Sequence, residues 1–232
     1  MVLKRTSLPR TAEAVALAEL RDAIVRGDLA PGVQIRQSAA AEELGLSVIP
    51  VREALKTLAG EGIVTYVPQR GYTVTELSLD TVDGIFRIRE LLEGEAEKDA
   101  AALLRPEDIA AMRAALNDQR AAADSVDVPG VITANRRFHF ALLDRCDNEW
   151  LLRFIRQLWE ALEPHRTLTY RRAAAARDFE RSQAILAEHD RIVSAFEDGD
   201  APQALRLLAE HRRDGRDDFH RLLSTPAAGS AD

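Results

Sequence analysis

Strand-forming sequence in this chain is confined to one short stretch, and that confinement limits the fold more than any other feature. Ile63-Val64-Thr65-Tyr66-Val67 and Tyr72-Thr73-Val74-Thr75 are runs of β-branched and aromatic residues, and Pro68-Gln69-Arg70-Gly71 between them has hairpin-turn chemistry. Elsewhere the apolar residues recur at helical spacing or give way to turns. A sheet-based architecture is excluded. What remains is one hairpin, with helices before and after it.

Three helices precede the hairpin. The first runs from Thr11, a capping residue, to Arg26, with Ala14, Leu17, Ala18, Ile24 and Val25 on its apolar side. Gly27-Asp28-Leu29-Ala30-Pro31-Gly32 stops it. A short helix spans Ser38–Leu44 and ends at Gly45. Ser47 caps a third helix through Ala59; Pro50 sits in its first turn, where a missing N–H costs little, and Val51, Ala54, Leu55 and Leu58 share a face. Three helices and a hairpin make a winged helix-turn-helix over residues 1–76. Beyond Glu76 the pattern predicts about six helices: Ser78–Leu104, Pro106–Asp124, Val131–Cys146, Glu149–Ala176, Asp178–Glu197 and Ala201–Leu223. The expected fold is mainly α: an N-terminal winged helix-turn-helix, a C-terminal all-α bundle over 77–223, and a small, polar, disordered tail over 224–232.

Net charge is −7, which by itself argues against a nucleic-acid partner. The acidity is unevenly placed. Residues 1–76 carry 9 Lys+Arg against 9 Asp+Glu, so the whole excess of acid lies beyond them. DNA binding must then rest on where single basic residues sit. No apolar run is long enough to span a membrane, and no apolar stretch follows Lys4 and Arg5 to make a secretory signal. Cys146 is the only cysteine, so no intrachain disulfide forms, which suits a reducing cytoplasm.

The segment Glu42-Glu43-Leu44-Gly45-Leu46-Ser47-Val48-Ile49-Pro50-Val51-Arg52-Glu53-Ala54-Leu55 carries the DNA-binding signal. Gly45 permits the tight turn. Ser47 stands where a helix N-terminus favours a phosphate, and Arg52, one turn further on, can enter a major groove and donate two hydrogen bonds to guanine. With Pro31-Gly32, Leu58, Glu61-Gly62-Ile63-Val64 and the wing residue Gly71, this segment resembles the GntR family of bacterial regulators over residues 12–76. That family commonly has arginines at the positions of Ser38 and Val48. The resemblance therefore leaves Arg36, Arg52 and Arg70 as the basic contacts, with Ser47 and Gly71 beside them, on a double-stranded, near-palindromic operator read by a homodimer.

Five histidines are present, and three lie on apolar helix faces: His139 with Leu142 and Cys146, His189 with Ile185, Ile192 and Phe196, and His211 with Ala204, Leu207 and Leu208. Asn135 precedes His139 by one turn and projects from the same side. Three imidazoles from three helices can converge on a divalent ion; the competing reading is three core histidines with local hydrogen bonds. His165 and His220 read as surface or supporting residues, and Trp150 and Trp159 as core or interface.

Arg89-x-x-Leu92-Glu93, Asn135-x-x-Phe138-His139, Glu188-His189-x-x-Ile192, Gly199-Asp200 with Ala204, and His211 are similar to the FCD effector-binding domain of the FadR subfamily of GntR regulators. The resemblance implies a divalent metal (zinc, nickel or similar) on Asn135, His139, His189 and His211, with Asn135 where aspartate is usual. It also implies an organic-acid effector. Neutral ligands leave a dication its full charge, which favours an anion, and Arg89 on the inward side of its helix is the candidate contact for a small carboxylate, with Glu93 as its competing partner. The function expected is a transcriptional regulator under effector control, not an enzyme. The alternatives are a metal-dependent enzyme on the three histidines and an effector-independent DNA-binding protein. Glu188, a conceivable base, points about 100° away from His189 on its helix and so away from a metal.

Overall fold

The computed structural model describes residues 11–176 and 179–224. These form two compact units that meet in sequence at Glu76 and Leu77.

The first unit contains α1 (Ala12–Arg26), β1 (Gln34–Ile35), α2 (Gln37–Glu43), α3 (Val48–Gly60), β2 (Val64–Val67) and β3 (Gly71–Val74). Thr11 caps α1, its hydroxyl accepting from the Ala14 amide at 3.1 Å, and Gly27 closes the helix in the left-handed conformation. In α3, Val51, Ala54, Leu55 and Leu58 are completely buried against Ala16, Leu20 and Ile24 of α1. Each such side chain contributes about 1.5–3 kcal/mol if it is as large as Leu or Val. The sheet is antiparallel in the order β1-β3-β2, with Tyr72 opposite both Ile35 and Tyr66. Alternation in β3 turns Tyr72 and Val74 into the core. Strand β1 was not expected: two residues are too few to show a period, and they are extended because β3 offers them an edge.

The second unit contains α4 (Leu79–Leu103), α5 (Pro106–Asp124), α6 (Val128–Leu143), α7 (Glu149–Ala176), α8 (Glu180–Glu197) and α9 (Ala201–Ser224). Among the described residues this makes nine helices and one small sheet. Residues 225–232, expected as a tail, lie outside the described residues, and Ser224 belongs to α9. Helix α6 starts three residues earlier than its apolar pattern suggests. Asp127 caps it, accepting from the Gly130 amide at 3.1 Å, and Pro129 occupies its first turn, so Gly130 is helical rather than a break. Phe138 and Leu142 of α6, Met112 and Leu116 of α5, Ile155 of α7 and Ile192 of α8 form the centre of the bundle. This packing fixes the inward faces of α5, α6, α8 and α9. No described helix is long and apolar enough to cross a membrane.

Candidate functional site

The faces that bury Phe138, Ile192 and Leu208 also carry His139, His189 and His211, and the three rings meet inside the bundle. One ring nitrogen from each lies within 4.8 Å of the others. Ring centroids are 4.7 Å apart for His189–His211, 5.0 Å for His139–His189 and 5.1 Å for His139–His211. Phe138 stacks on His189 at 4.1 Å and fixes its plane.

The outer ring nitrogens decide the chemistry. His189 Nδ1 lies 2.8 Å from Gln119 Oε1, and His211 Nδ1 lies 2.6 Å from Glu188 Oε2. Burial pushes the Glu188 carboxyl up, but hydrogen bonds from His211 and Arg181 outweigh it and hold the group ionised, below its ordinary value. An amide oxygen and a carboxylate only accept, so both Nδ1 atoms carry the proton. Each Nε2 is then left with a lone pair, and the two Nε2 atoms face each other at 3.2 Å. Protonation of His139 or His189 is opposed by their surroundings. Burial first, and the neighbouring histidines second, hold His139 and His189 well below the usual imidazole value. Inward-facing imidazoles, two of them held from behind by an amide and a carboxylate, are a donor set that suits a divalent transition metal. Asn135, only 4% exposed, lines the same cavity one turn before His139 and makes no hydrogen bond with the described residues. Its amide oxygen fits as a fourth donor.

The cavity extends from the histidines along α4 and α7. Glu93 is its main anion. It accepts from Arg89 at 2.6 and 3.2 Å, from the Trp159 indole at 2.8 Å and from Arg212 Nε at 3.0 Å. Arg89 is thus held by the competing partner named from the sequence, with its guanidinium on the cavity wall between Phe86 and Trp159. Arg166 differs. Its guanidinium lies 4.7 Å from the Trp159 ring and faces the cavity, and no carboxylate of the described residues hydrogen-bonds it. Burial, with the like charge of Arg89 adding to it, lowers Arg166 to about 10. One turn on, burial raises the Tyr170 phenol to about 12. Among the described residues the arrangement provides three metal-type nitrogens, an unengaged amide and a guanidinium that no carboxylate hydrogen-bonds, all around one space.

Gln119, Glu188 and Arg166 were not singled out as site residues. Gln119 had a signal: it continues the stripe of Met112, Ala115 and Leu116 as its one polar member. Glu188 does point away from its neighbour His189, and that orientation lets it support His211 of α9 from behind. His165, expected as a surface or supporting residue, is buried and accepts from the Leu77 amide at 3.2 Å. His220 pairs with Asp83 at 2.8 Å. Trp159 is buried, whereas Trp150 is 68% exposed.

In the first unit, α3 presents Ile49, Arg52 and Lys56 on one exposed face. Ile49 is 70% exposed, an apolar residue left in water at the start of the helix. Arg52 donates from Nε to Gln37 at 3.1 Å, a neutral partner that holds it weakly. Ser47 occupies the N-cap of α3, but its hydroxyl makes no capping bond, contrary to expectation, and remains available to an anion. Arg36 stands exposed at the N-cap of α2. Arg70 is exposed in the turn before β3, where its carbonyl accepts from the Gln34 side chain and Gly71 takes φ 83°.

A winged helix-turn-helix followed by an all-helical domain with a histidine cluster defines a class, the one- and two-domain DNA-binding regulators that read a groove with one helix. Comparison with known proteins narrows it. Residues 11–74 match the bacterial regulatory proteins of the gntR family and residues 84–214 match the FCD domain, so the chain belongs to the FCD-containing GntR family of transcriptional regulators. McbR of Escherichia coli K12, an HTH-type transcriptional regulator, is 34% identical over 146 residues, which is 63% of this chain and 66% of McbR. The HTH-type regulator BphR of Paraburkholderia xenovorans is 32% identical over 192 residues, covering 73% of this chain and 78% of BphR. The solved structure of E. coli McbR/YncC superposes with a TM-score of 0.78 at 26% identity, over 91% of this chain and 98% of that one. These relatives are named as regulators of transcription, and this chain is a regulator rather than an enzyme.

Proposed function

We propose that this regulator binds a near-palindromic operator as a cytoplasmic homodimer and that a small carboxylate, seated at a divalent metal in the helical domain, controls that binding. The observation that carries the reading is the pair of Nε2 atoms facing each other at 3.2 Å inside the bundle, with both Nδ1 atoms engaged from behind by Gln119 and Glu188. His139, His189, His211 and Asn135 hold the ion, which when bound supplies a positive centre with room for an anionic ligand. The chain's own residues do the rest. Arg166 meets the carboxylate with paired donors, Tyr170 offers a hydroxyl beside it, and Arg89 adds positive charge while remaining on Glu93.

At the DNA, Arg52 enters the major groove with Ile49, whose exposed side chain suits a thymine methyl group, while Arg36, Ser47 and the wing residues Arg70 and Gly71 hold the backbone. Effector binding shifts the population between bundle conformations and so changes operator affinity. The test is an operator gel shift with a series of small mono- and dicarboxylates, run on metal-loaded protein, on chelator-stripped protein and on Arg166→Gln. The reading expects an acid to change operator affinity only with metal present, and Arg166→Gln to need at least tenfold more of it. An equal response after stripping removes the metal from the mechanism.

A further inference from the structure

Helix α4 has an inner face that builds the cavity and an outer face that nothing in its own unit covers. Leu91 is 68% exposed and Ile88 46% exposed at the middle of this outer face. Beside them on the same stripe lie Arg87, Gly94 and Glu95, at the i, i+3, i+4 and i+7 spacing that puts side chains on one side of a helix. Gly94 is out of place in the interior of a long helix, where it destabilises relative to alanine. The fold of this chain gives it no purpose: a Cβ added there meets nothing within 4 Å.

We propose that the α4 outer face is the seam on which two copies of this chain pair, antiparallel, across a two-fold axis through Leu91. The sequence of the face is complementary to itself in that register. Residues equally distant from Leu91 along the helix then meet across the axis. Leu91 meets Leu91 of the partner subunit. Ile88 lies over Gly94 of the partner subunit, where the missing side chain leaves space. Arg87 lies beside Glu95 of the partner subunit, and the symmetry repeats both contacts. Arg87 has no ion-pair partner among the described residues of its own chain, and Glu95 has only Lys98 at 3.5 Å, an exposed pair worth little. A displaced register would bring like charges together or leave Ile88 against bulk. An isologous contact of this kind closes at two copies, as a two-fold operator requires. The inference rests on the homodimeric regulator proposed above and gives it a surface.

The experiment is sedimentation equilibrium on the full chain, with circular dichroism as the check on folding. Leu91→Glu and Gly94→Leu are each expected to weaken the dimer at least tenfold while helix content is kept; Gly94→Leu replaces a poor helix former with a good one, so a loss of pairing there is not a loss of fold. Arg87→Glu is expected to weaken it and Arg87→Glu with Glu95→Arg to restore it. In Leu91→Cys the two thiols sit astride the axis. Packed helices 8–10 Å apart bring such Cα atoms to about 4–6 Å, within disulfide reach, so mild oxidation links the dimer on a non-reducing gel while the buried Cys146 does not. A dimer that survives Leu91→Glu and Gly94→Leu unweakened, with no cross-link in Leu91→Cys, overturns this surface and leaves the regulator reading intact. A wild-type chain that is monomeric both free and on operator DNA overturns the two-fold reading as well.

Discussion

Gln119→Leu tests the proposed metal centre at its least obvious point. Leucine matches the glutamine in size but removes the acceptor that the described residues offer His189 Nδ1, in a ring that is 0% exposed. Two outcomes are open to the imidazole. It keeps the Nδ1 proton without a partner, which costs about 1–3 kcal/mol for a buried polar group. Or it moves the proton to Nε2, where it donates to the His211 Nε2 at 3.2 Å and takes the lone pair away from the metal. Either route favours the metal-free form. Loss of a hydrogen bond behind a metal-bound histidine costs about 10–100-fold in affinity, equivalent to about 1.4–2.7 kcal/mol. Competition against a chromophoric chelator measures the dissociation constant directly. Melting with and without chelator gives a second reading, because the gap in melting temperature that metal creates should shrink. Gln119→Glu should act in the opposite direction by making the imidazole a stronger donor. If Gln119→Leu binds metal within threefold of wild type and keeps the full melting gap, the tautomer argument fails.

Asn135→Asp places a charged oxygen where the amide stands and should tighten metal binding about tenfold, read by the same competition; no change would mean that this side chain serves the effector instead. Arg52→Ala should cost about 1–3 kcal/mol in discrimination between operator and a base-substituted site, with a smaller loss in salt dependence than Arg70→Ala gives, measured by gel shift at several ionic strengths. Glu97 supplies a stability signature. Burial pushes its carboxyl up to about 7 despite Arg212, so between the ordinary carboxyl value and about 7 the folded chain holds a proton that the unfolded chain has released. Raising the pH through that window should lower stability by up to about 1.4 kcal/mol per pH unit. Glu97→Gln should flatten the fall, so the two melting curves should diverge as pH rises from 5 to 8; parallel curves would refute it.

The helix-turn-helix was legible because its information is local. Gly45, Pro50 and the spacing of Val51 to Leu58 each act within one turn of themselves. The boundary at Glu76 was legible for the same reason, since strand-type residues simply stop there. What escaped the sequence depends on partners far along the chain. β1 exists only because β3 lies beside it. Three histidines could be placed on inward faces, but the Nδ1 partners of two of them, His189 and His211, stand 70 and 23 positions away. The Arg89–Glu93 pair was legible from its spacing of four, whereas Arg166 drew no notice, because its place beside Trp159 depends on how α7 packs against the rest of the bundle.

Trp159 gives the cavity its own optical reporter. The chain has two tryptophans, and the other, Trp150, is 68% exposed. Replacing Trp150 by phenylalanine would leave a single indole emitting from a site bounded by His139 at 5.0 Å and by the guanidinium carbons of Arg89 and Arg166 at 4.7 Å each. An open-shell transition metal on the histidines would lie within quenching range of that indole, and an anion drawn to Arg166 would alter the field that sets its emission wavelength. Intensity and colour would then follow metal and ligand separately, in one cuvette and without a label.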